Sequence, residues 1–454
     1  MGAKRIGRLI SRNVAAAPKS MLVVSMAAHR ARRAAPRGEW VLDRRGEVRF
    51  RAPRFAAAHP PKAARRIRRA TAGARAGRAR GTDRRSPNRI LGAEACMIKA
   101  DRERLSVVSL IEKVARLREP AAWPDGTQSV KAIETHMSWV FLTDRHAWKL
   151  KKPVRAPQLD FRSLAARERF CHEEVRLNRR LAEGVYLGAV PVTMDSDGRL
   201  RPGGAGEVVD WLVEMKRLPA ERMLDRALLH GSATRADARR IAQRLSAFYR
   251  SLAPVRGDPA LYRDDLRRTI DCNERALCRP MFDQPVAAVR AVCALQRALL
   301  DAEAGRFDAR VRQGRIVEGH GDLRPEHICI DARIAIIDCL EFSKRLRTQD
   351  AADEIGFLAL ECERLGAPEF ARALLDEYRA ASGDDVDDAL VHFHQSCRAM
   401  TRARLAAWHL REKAFRATPA WRDRARAYVA LAQRHIGCCE QLWTAARVSA
   451  AAGP

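Results

Sequence analysis

The sequence contains no C-x-x-C pair, and none of its 11 cysteines, the adjacent Cys438-Cys439 included, takes the Cys/His spacing of a zinc ribbon or zinc finger. That excludes a small structural zinc domain and makes a reducing, cytoplasmic setting the default expectation. No apolar run reaches the length of a membrane span. The one apolar patch near the N-terminus, residues 21–26, is too short for the core of a secretory signal. There is no G-x-x-x-x-G-K-[ST], which excludes a P-loop in this sequence, and no internal repeat.

Acidic residues are scarce where basic ones are dense. Residues 1–96 hold 25 of the 85 Lys and Arg but only 5 of the 55 Asp and Glu, a net +20 out of +30, so residues 97–454 are only moderately basic at +10. The basic segment is rich in Ala, Arg, Pro and Gly and keeps neither a helical nor a strand period. It can be read as a disordered arm, a targeting peptide or an upstream extension, with Met97 as a start just before helical patterning begins. The expectation is an extension or an arm without function. A nucleic-acid partner is expected, if anywhere, only at this arm, and no membrane partner is expected.

From residue 97 onward the pattern divides in two. Helical spacing over 101–118 is followed by apolar, β-branched and aromatic clusters over 129–142 and 146–150, joined by a turn at Thr143-Asp144-Arg145, which predicts a hairpin. A long helix is predicted over 161–182. A second hairpin follows, with strands at 189–192 and 208–215 around Gly203-Gly204, and Pro219 marks a boundary. Beyond it helices are predicted over 222–252, 287–303, 353–365, 368–378 and 387–410, interrupted by one hairpin, 328–330 and 334–337. This is an α+β layout: an extension over 1–96, a strand-rich lobe over 97–218 and a helical lobe over 219–454, with a cleft between the lobes.

Two carboxylates flank the embedded hairpin. His320-Gly321-Asp322-Leu323-Arg324-Pro325-Glu326-His327 precedes it and Asp338-Cys339-Leu340-Glu341 follows. A hairpin folds the chain back, so both loops can present carboxylates to one cleft. Phosphoryl transfer needs such a pair, one carboxylate to orient the attacking group and accept its proton and one to hold the metal that neutralises the phosphates. Asp322 and Asp338 fit those two roles. Asp353 fits a helix cap or a brace for the loop better than catalysis. His392 and His394, two residues apart, do not share a helix face, and Arg398, Arg402 and Arg404 fit either a salt-bridged face or a site for an anionic acceptor.

The run from His320 to His327 resembles the kinase catalytic loop H-R-D-L-x-x-x-N and its phosphotransferase version H-G-D-L-H-x-x-N. With Thr135-His136-Met137-Ser138-Trp139-Val140-Phe141-Leu142, Lys149-Leu150-Lys151-Lys152-Pro153-Val154, Leu177-Asn178-Arg179-Arg180-Leu181 and Ile337-Asp338-Cys339-Leu340-Glu341-Phe342, the chain is similar over residues 97–415 to a bacterial group of predicted aminoglycoside-phosphotransferase-like proteins. Some of that group carry a fused P-loop domain, and the expectation here is the kinase-like part alone.

The resemblance implies a two-lobed, protein-kinase-like fold and transfer of the γ-phosphoryl group of ATP or GTP to a hydroxyl or amine of an unidentified small molecule, with magnesium or manganese. By the same resemblance Asp322, His320 and Arg324 form the catalytic set, Asp322 as base and His320 as support of its loop. Asp338 and His327 hold the metal, His327 standing where the family has Asn. Lys149 of Ala147-Trp148-Lys149 meets the phosphates. Lys151 shares its strand face, and Lys152 falls beyond the strand. Glu174, with Glu173 second, fixes that lysine, and Glu214 and Met215 belong to the hinge that meets the adenine edge. No Gly-rich loop is present, so Ser138 and backbone amides would cover the phosphates. His327 and the missing glycines also motivate a nucleotide-binding pseudokinase as the alternative.

Overall fold

The computed structural model describes residues 108–451, except 125 and 157, together with two short strands near the N-terminus, β1 (Glu39–Leu42) and β2 (Val48–Arg51). These two pair antiparallel, with Trp40 opposite Phe50, a hairpin of which the composition gives no sign. The remaining expectations for residues 1–96, Met97 as a start, and the first turns of the helix expected over 101–118 lie outside the described residues.

The first lobe opens with α1 (Leu110–Leu117), which begins at Ser109 because Ser109 and Glu112 cap each other reciprocally. A six-stranded antiparallel sheet follows, in the order β3 (Lys131–Glu134), β4 (Ser138–Leu142), β5 (His146–Lys151), β10 (Glu207–Lys216), β8 (Tyr186–Met194), β9 (Leu200–Pro202). The segment 129–142 is thus two strands rather than one, because the Thr135 hydroxyl accepts from the Ser138 amide at 3.0 Å and closes a turn. Between β5 and β8 lie the short pair β6 (Arg155–Ala156) and β7 (Leu159–Asp160), then α2 (Leu164–Asn178), capped by Ser163. Buried Asp210 of β10 ties both helices to the sheet, pairing with Lys113 of α1 at 2.7 Å and Arg167 of α2 at 2.6 Å.

After Lys216 the chain leaves the sheet and becomes helical. The helix expected over 222–252 is two, α3 (Leu224–Leu229) and α4 (Arg235–Ser251), because Gly231 turns left-handed (φ +67°) and Thr234 starts a new capping box with Asp237. Next come α5 (Pro259–Leu277), α6 (Val286–Ala302) and α7 (Ala304–Arg312). β11 (Ile316–Glu318) pairs with β14 (Thr348–Asp350), and this ladder frames the hairpin β12 (Ile328–Ile330) and β13 (Ile334–Ile336) and the short α8 (Lys344–Arg347). The lobe is completed by α9 (Ala351–Arg364), α10 (Pro368–Ser382), α11 (Asp388–His409), α12 (Lys413–Arg416) and α13 (Ala420–Ala451). The result is the two-lobed α+β architecture expected from the sequence. Among the described residues no helix is long and apolar enough to cross a membrane.

Candidate active site

The loop that follows β11 is held from behind by Glu354 of α9, a fully buried carboxylate. Its Oε1 accepts from the amides of His320 (2.8 Å) and Gly321 (2.6 Å), and its Oε2 from the Tyr249 hydroxyl (2.9 Å). A Cβ on Gly319 would sit 2.5 Å from that Oε2, so any larger residue there would have to push the Glu354 carboxylate off the loop. Asp353, read from the sequence as the cap or brace, does neither. Asp350 caps α9, accepting from Ala352 N at 2.8 Å, and Asp353 pairs with Arg398 at 2.7 Å, which accounts for Arg398 as a salt-bridged face.

His320, grouped with the catalytic residues above, is fully buried and braces the loop. Its Nδ1 accepts from Asp322 N (3.3 Å), which leaves Nε2–H to donate to Ile337 O (2.9 Å), and its own carbonyl accepts from Leu340 N (3.0 Å). The loops bearing Asp322 and Asp338 are therefore clasped through one imidazole. Burial, with the nearby His327, lowers the His320 pKa from 6.5 to about 4. As pH falls below 6.5 the unfolded chain takes up a proton that the folded chain refuses until about 4, so stability should drop across that window, by roughly 3 kcal/mol from this one group. Urea midpoints at pH 7 and pH 4.5 check this: His320→Asn should show a shallower pH dependence than the wild type, and an equal dependence would remove the assignment.

Across the cleft, alternation along β5 puts Lys149 and Lys151 on one face. Both reach Glu174 of α2, which is fully buried: Lys149 Nζ lies 2.8 Å from Oε1, and Lys151 Nζ pairs with Oε2. Lys149 also meets Asp338 Oδ1 at 2.6 Å, and Lys151, itself fully buried, pairs with Glu341. Five alternating charges, Asp338, Lys149, Glu174, Lys151 and Glu341, thus join the two lobes. Burial opposes charge on Lys149, but Asp338 and Glu174 outweigh it and hold its pKa well above the ordinary value; burial likewise opposes charge on Glu174, whose pKa the two lysines lower. Glu173 points elsewhere, to Arg176 (2.7 Å), and Lys152 lies past the end of β5 against Glu134 (2.6 Å). Lys151 stands in the sequence as a rival to Lys149 on the same strand face, and the structure gives it a partner of its own; Glu341, three residues beyond Asp338, has no role that the sequence assigns.

Asp338 adopts a left-handed backbone (φ +62°), which Asp tolerates better than most side chains. Two partners hold it there. The Tyr186 hydroxyl accepts from Asp338 N (3.0 Å), and Asn178 Oδ1 accepts from Cys339 N (2.8 Å) while its Nδ2 donates to Glu174 O (2.8 Å). His327 lies between the two carboxylates. Its Nδ1 donates to Asp322 O (2.9 Å), leaving Nε2 facing Arg324 Nη2 at 3.0 Å and Asp338 Oδ2 at 3.5 Å. Arg324 pairs with Asp322 at 3.0 Å and with Glu326. Burial would raise the Asp322 carboxyl, but Arg324, His327 and Arg402 overcome it and keep it below the ordinary Asp value. Asp338 is held well below its ordinary value, burial being outweighed by Lys149 and His327.

Two expectations need correction. Glu214 and Met215 lie inside the ladder, between β5 and β8, so their backbone groups serve the sheet; the chain leaves it only after Lys216. Ser138 is 1% exposed at the start of β4, opposite Lys151, so its hydroxyl is not offered to the cleft. The exposed tip of that hairpin is Thr135-His136, and the His136 ring reaches the His409 ring at the end of α11, 5.7 Å between centroids.

Among the described residues no group of three or more His, Cys, Asp or Glu side chains is arranged to hold a metal ion by itself. A magnesium ion, which takes one or two carboxylates and completes its shell with phosphate oxygens and water, fits the hard carboxylate of Asp338. The Nε2 of His327 is the softer donor and suits manganese at least as well.

No known family model matches the sequence. The chain is 30% identical over 287 residues to uncharacterized proteins of Mycobacterium tuberculosis and Mycobacterium bovis, an alignment covering 60% of this chain and 53% of each of theirs. The chain thus spans about half the length of the curated relatives it matches. Solved structures with a similar course of the chain include a choline/ethanolamine kinase family protein from Mesorhizobium loti (14% identity, TM-score 0.42, covering 72% of this chain and 99% of that one), a glucosamine kinase (16%, 0.40, 70% and 82%) and an aminoglycoside phosphotransferase from Streptomyces rimosus in complex with ADP and streptomycin (18%, 0.38, 63% and 97%). At such low identity each is a likeness of fold, and the chemistry of this chain rests on its own residues.

Proposed function

We propose that this chain is a phosphotransferase that moves the γ-phosphoryl group of ATP or GTP to a hydroxyl or amine of a small molecule, the nucleotide lying between residues 97–218 and the helical residues 219–454. The observation that carries the reading is the convergence, from two lobes, of Lys149, Glu174 and Asp338 beside the loop of Asp322. Lys149, fixed by Glu174, is placed to hold the phosphates. Asp338, with His327 beside it, would hold magnesium or manganese, which supplies charge neutralisation on the phosphates. Asp322 orients the acceptor: its oxygen or nitrogen attacks the γ-phosphorus, the bond from that phosphorus to the bridging oxygen breaks, the nucleoside diphosphate leaves, and the acceptor's proton passes to the Asp322 carboxylate. Positioning and fixed charge do most of the work, and the cytoplasm, where ATP and GTP are abundant, is the proposed location.

Calorimetric titration of the full chain with ATP and GTP, each with magnesium, with manganese and without metal, tests the nucleotide site. Metal-dependent binding that Asp338→Ala abolishes is expected. No nucleotide binding by the wild type sinks the proposal. A second reading has one observation in its favour: Lys149 is engaged by both Glu174 and Asp338, which, with His327 standing where the resembled family has Asn, also suits a pseudokinase that binds nucleotide without turnover. Nucleotide binding with no transfer to water or to any acceptor would favour it.

A further inference from the structure

On the helical side of Asp322, α9, α11 and α13 build a wall with more guanidinium charge than its carboxylates answer. Fully buried Glu361 of α9 is the anchor. It accepts from the Tyr428 hydroxyl (2.7 Å) and from Arg364 Nε (2.7 Å), and Arg402 Nε stands 3.5 Å away, within ion-pair range but without a hydrogen bond. Arg364 and Arg402 both lie over the Tyr428 ring, at 5.7 and 5.8 Å. Arg424 lies over the Trp421 ring at 5.2 Å, with no carboxylate against it among the described residues.

The same wall runs from the catalytic loop to the hairpin tip. Trp421 stacks on His409 at 3.7 Å, His409 meets His136, and at the other end Arg324 pairs with Asp322. The charges act along that path: Arg402 helps lower the Asp322 and Glu326 carboxyls, while burial together with Arg364 and Arg402 pushes the Arg424 guanidinium below its ordinary pKa. Glu361, Glu326 and Asp322 keep the Arg364 and Arg402 guanidiniums above their ordinary pKa, whereas Arg424 is left below its own, and an arriving anion would supply the countercharge that Arg424 lacks. Guanidinium groups present the paired N–H donors that carboxylate and phosphate oxygens match.

Resting on the phosphotransferase reading above, we propose that the acceptor is itself an anion, a small hydroxyl or amine compound bearing a carboxylate or phosphate, held by Arg402 and Arg424 so that its nucleophile meets Asp322. A cationic acceptor meets repulsion at this wall.

The test uses the full chain saturated with ADP, titrated in a calorimeter with glycerol 3-phosphate, glycerate, glycerol and choline. ADP release from ATP is followed in parallel with the same four compounds as acceptors. The anions are expected to bind and the other two not, and Arg402→Gln and Arg424→Gln should each weaken anion binding about 10- to 100-fold, the loss of one or two charge-assisted hydrogen bonds. Tighter binding of glycerol 3-phosphate would identify phosphate as the recognised group, and of glycerate, carboxylate. Should Arg402→Gln not fold, Arg424→Gln, at a partly exposed position, still decides. Choline or glycerol binding as well as the anions, no anion binding at millimolar concentration, or anion binding indifferent to both substitutions overturns the acceptor class. ADP titrated alone separates the two claims: chain that binds ADP without preferring anions loses only this inference, and chain that binds no ADP loses the phosphotransferase reading.

Discussion

Asp322→Asn is expected to lower phosphoryl transfer by about 10²- to 10⁴-fold, the usual worth of a positioned proton acceptor, with little change in nucleotide affinity. The amide keeps the shape and can still receive from Arg324, which lies 3.0 Å from the carboxylate, but it cannot take the acceptor's proton. Because Arg324, His327 and Arg402 together hold the Asp322 carboxyl below its ordinary value, it stays ionised through the whole neutral range. Any loss of rate that Asp322 causes on acidification should therefore fall below the ordinary Asp pKa, not near pH 6. Single-turnover ADP formation over a pH series checks both statements. A variant that keeps more than a tenth of the wild-type rate removes Asp322 from the proton transfer.

The second large effect is on folding. Glu174→Gln leaves Lys151, fully buried, with Glu341 alone, and Lys149 with Asp338 alone, which should cost about 3–5 kcal/mol, the penalty for breaking a buried ion pair from one side. The same substitution one residue earlier, Glu173→Gln, touches a half-buried carboxylate paired with an exposed Arg176 and, at 3.7 Å, with Arg347, which keeps Glu318 at 2.7 Å, and should cost under about 1 kcal/mol. Urea unfolding of the two variants side by side gives the comparison. Equal destabilisation would mean that Glu174 is not the keystone between the lobes.

The contrast between those two glutamates shows where reading the chain reaches its limit. Both stand on α2 one residue apart, about 100° around the helix, and the order of residues only ranks them. The packing of α2 against the sheet turns Glu174 inward and Glu173 outward. A similar limit explains Asp353 and Glu354, adjacent on α9: the sequence points to the first as cap or brace, while the structure gives the cap to Asp350 and the brace to Glu354. Helix α5 is not legible in the sequence because it is crowded with charge and buries only Ile270, Asn273 and Leu277, a thin stripe for nineteen residues. The sequence pattern sets no helix apart at α7 or α13 either.

By itself the sequence determined the α+β division, the strand alternation that sets Lys149 and Lys151 on one face, and the hairpin that separates Asp322 from Asp338. These are local matters, set by side-chain period, turn residues and distance along the chain. Only the tertiary structure decided which carboxylate meets which lysine, the left-handed backbone of Asp338 held by Tyr186 and Asn178, the burial of Ser138, the placing of Glu214 and Met215 inside the sheet, and the gathering of Arg364 and Arg402 around Glu361 and Tyr428 with Arg424 on the neighbouring Trp421 ring. Each of those joins residues far apart in the chain. Which of several available charges is desolvated and paired depends on how whole elements pack, and no local period records that.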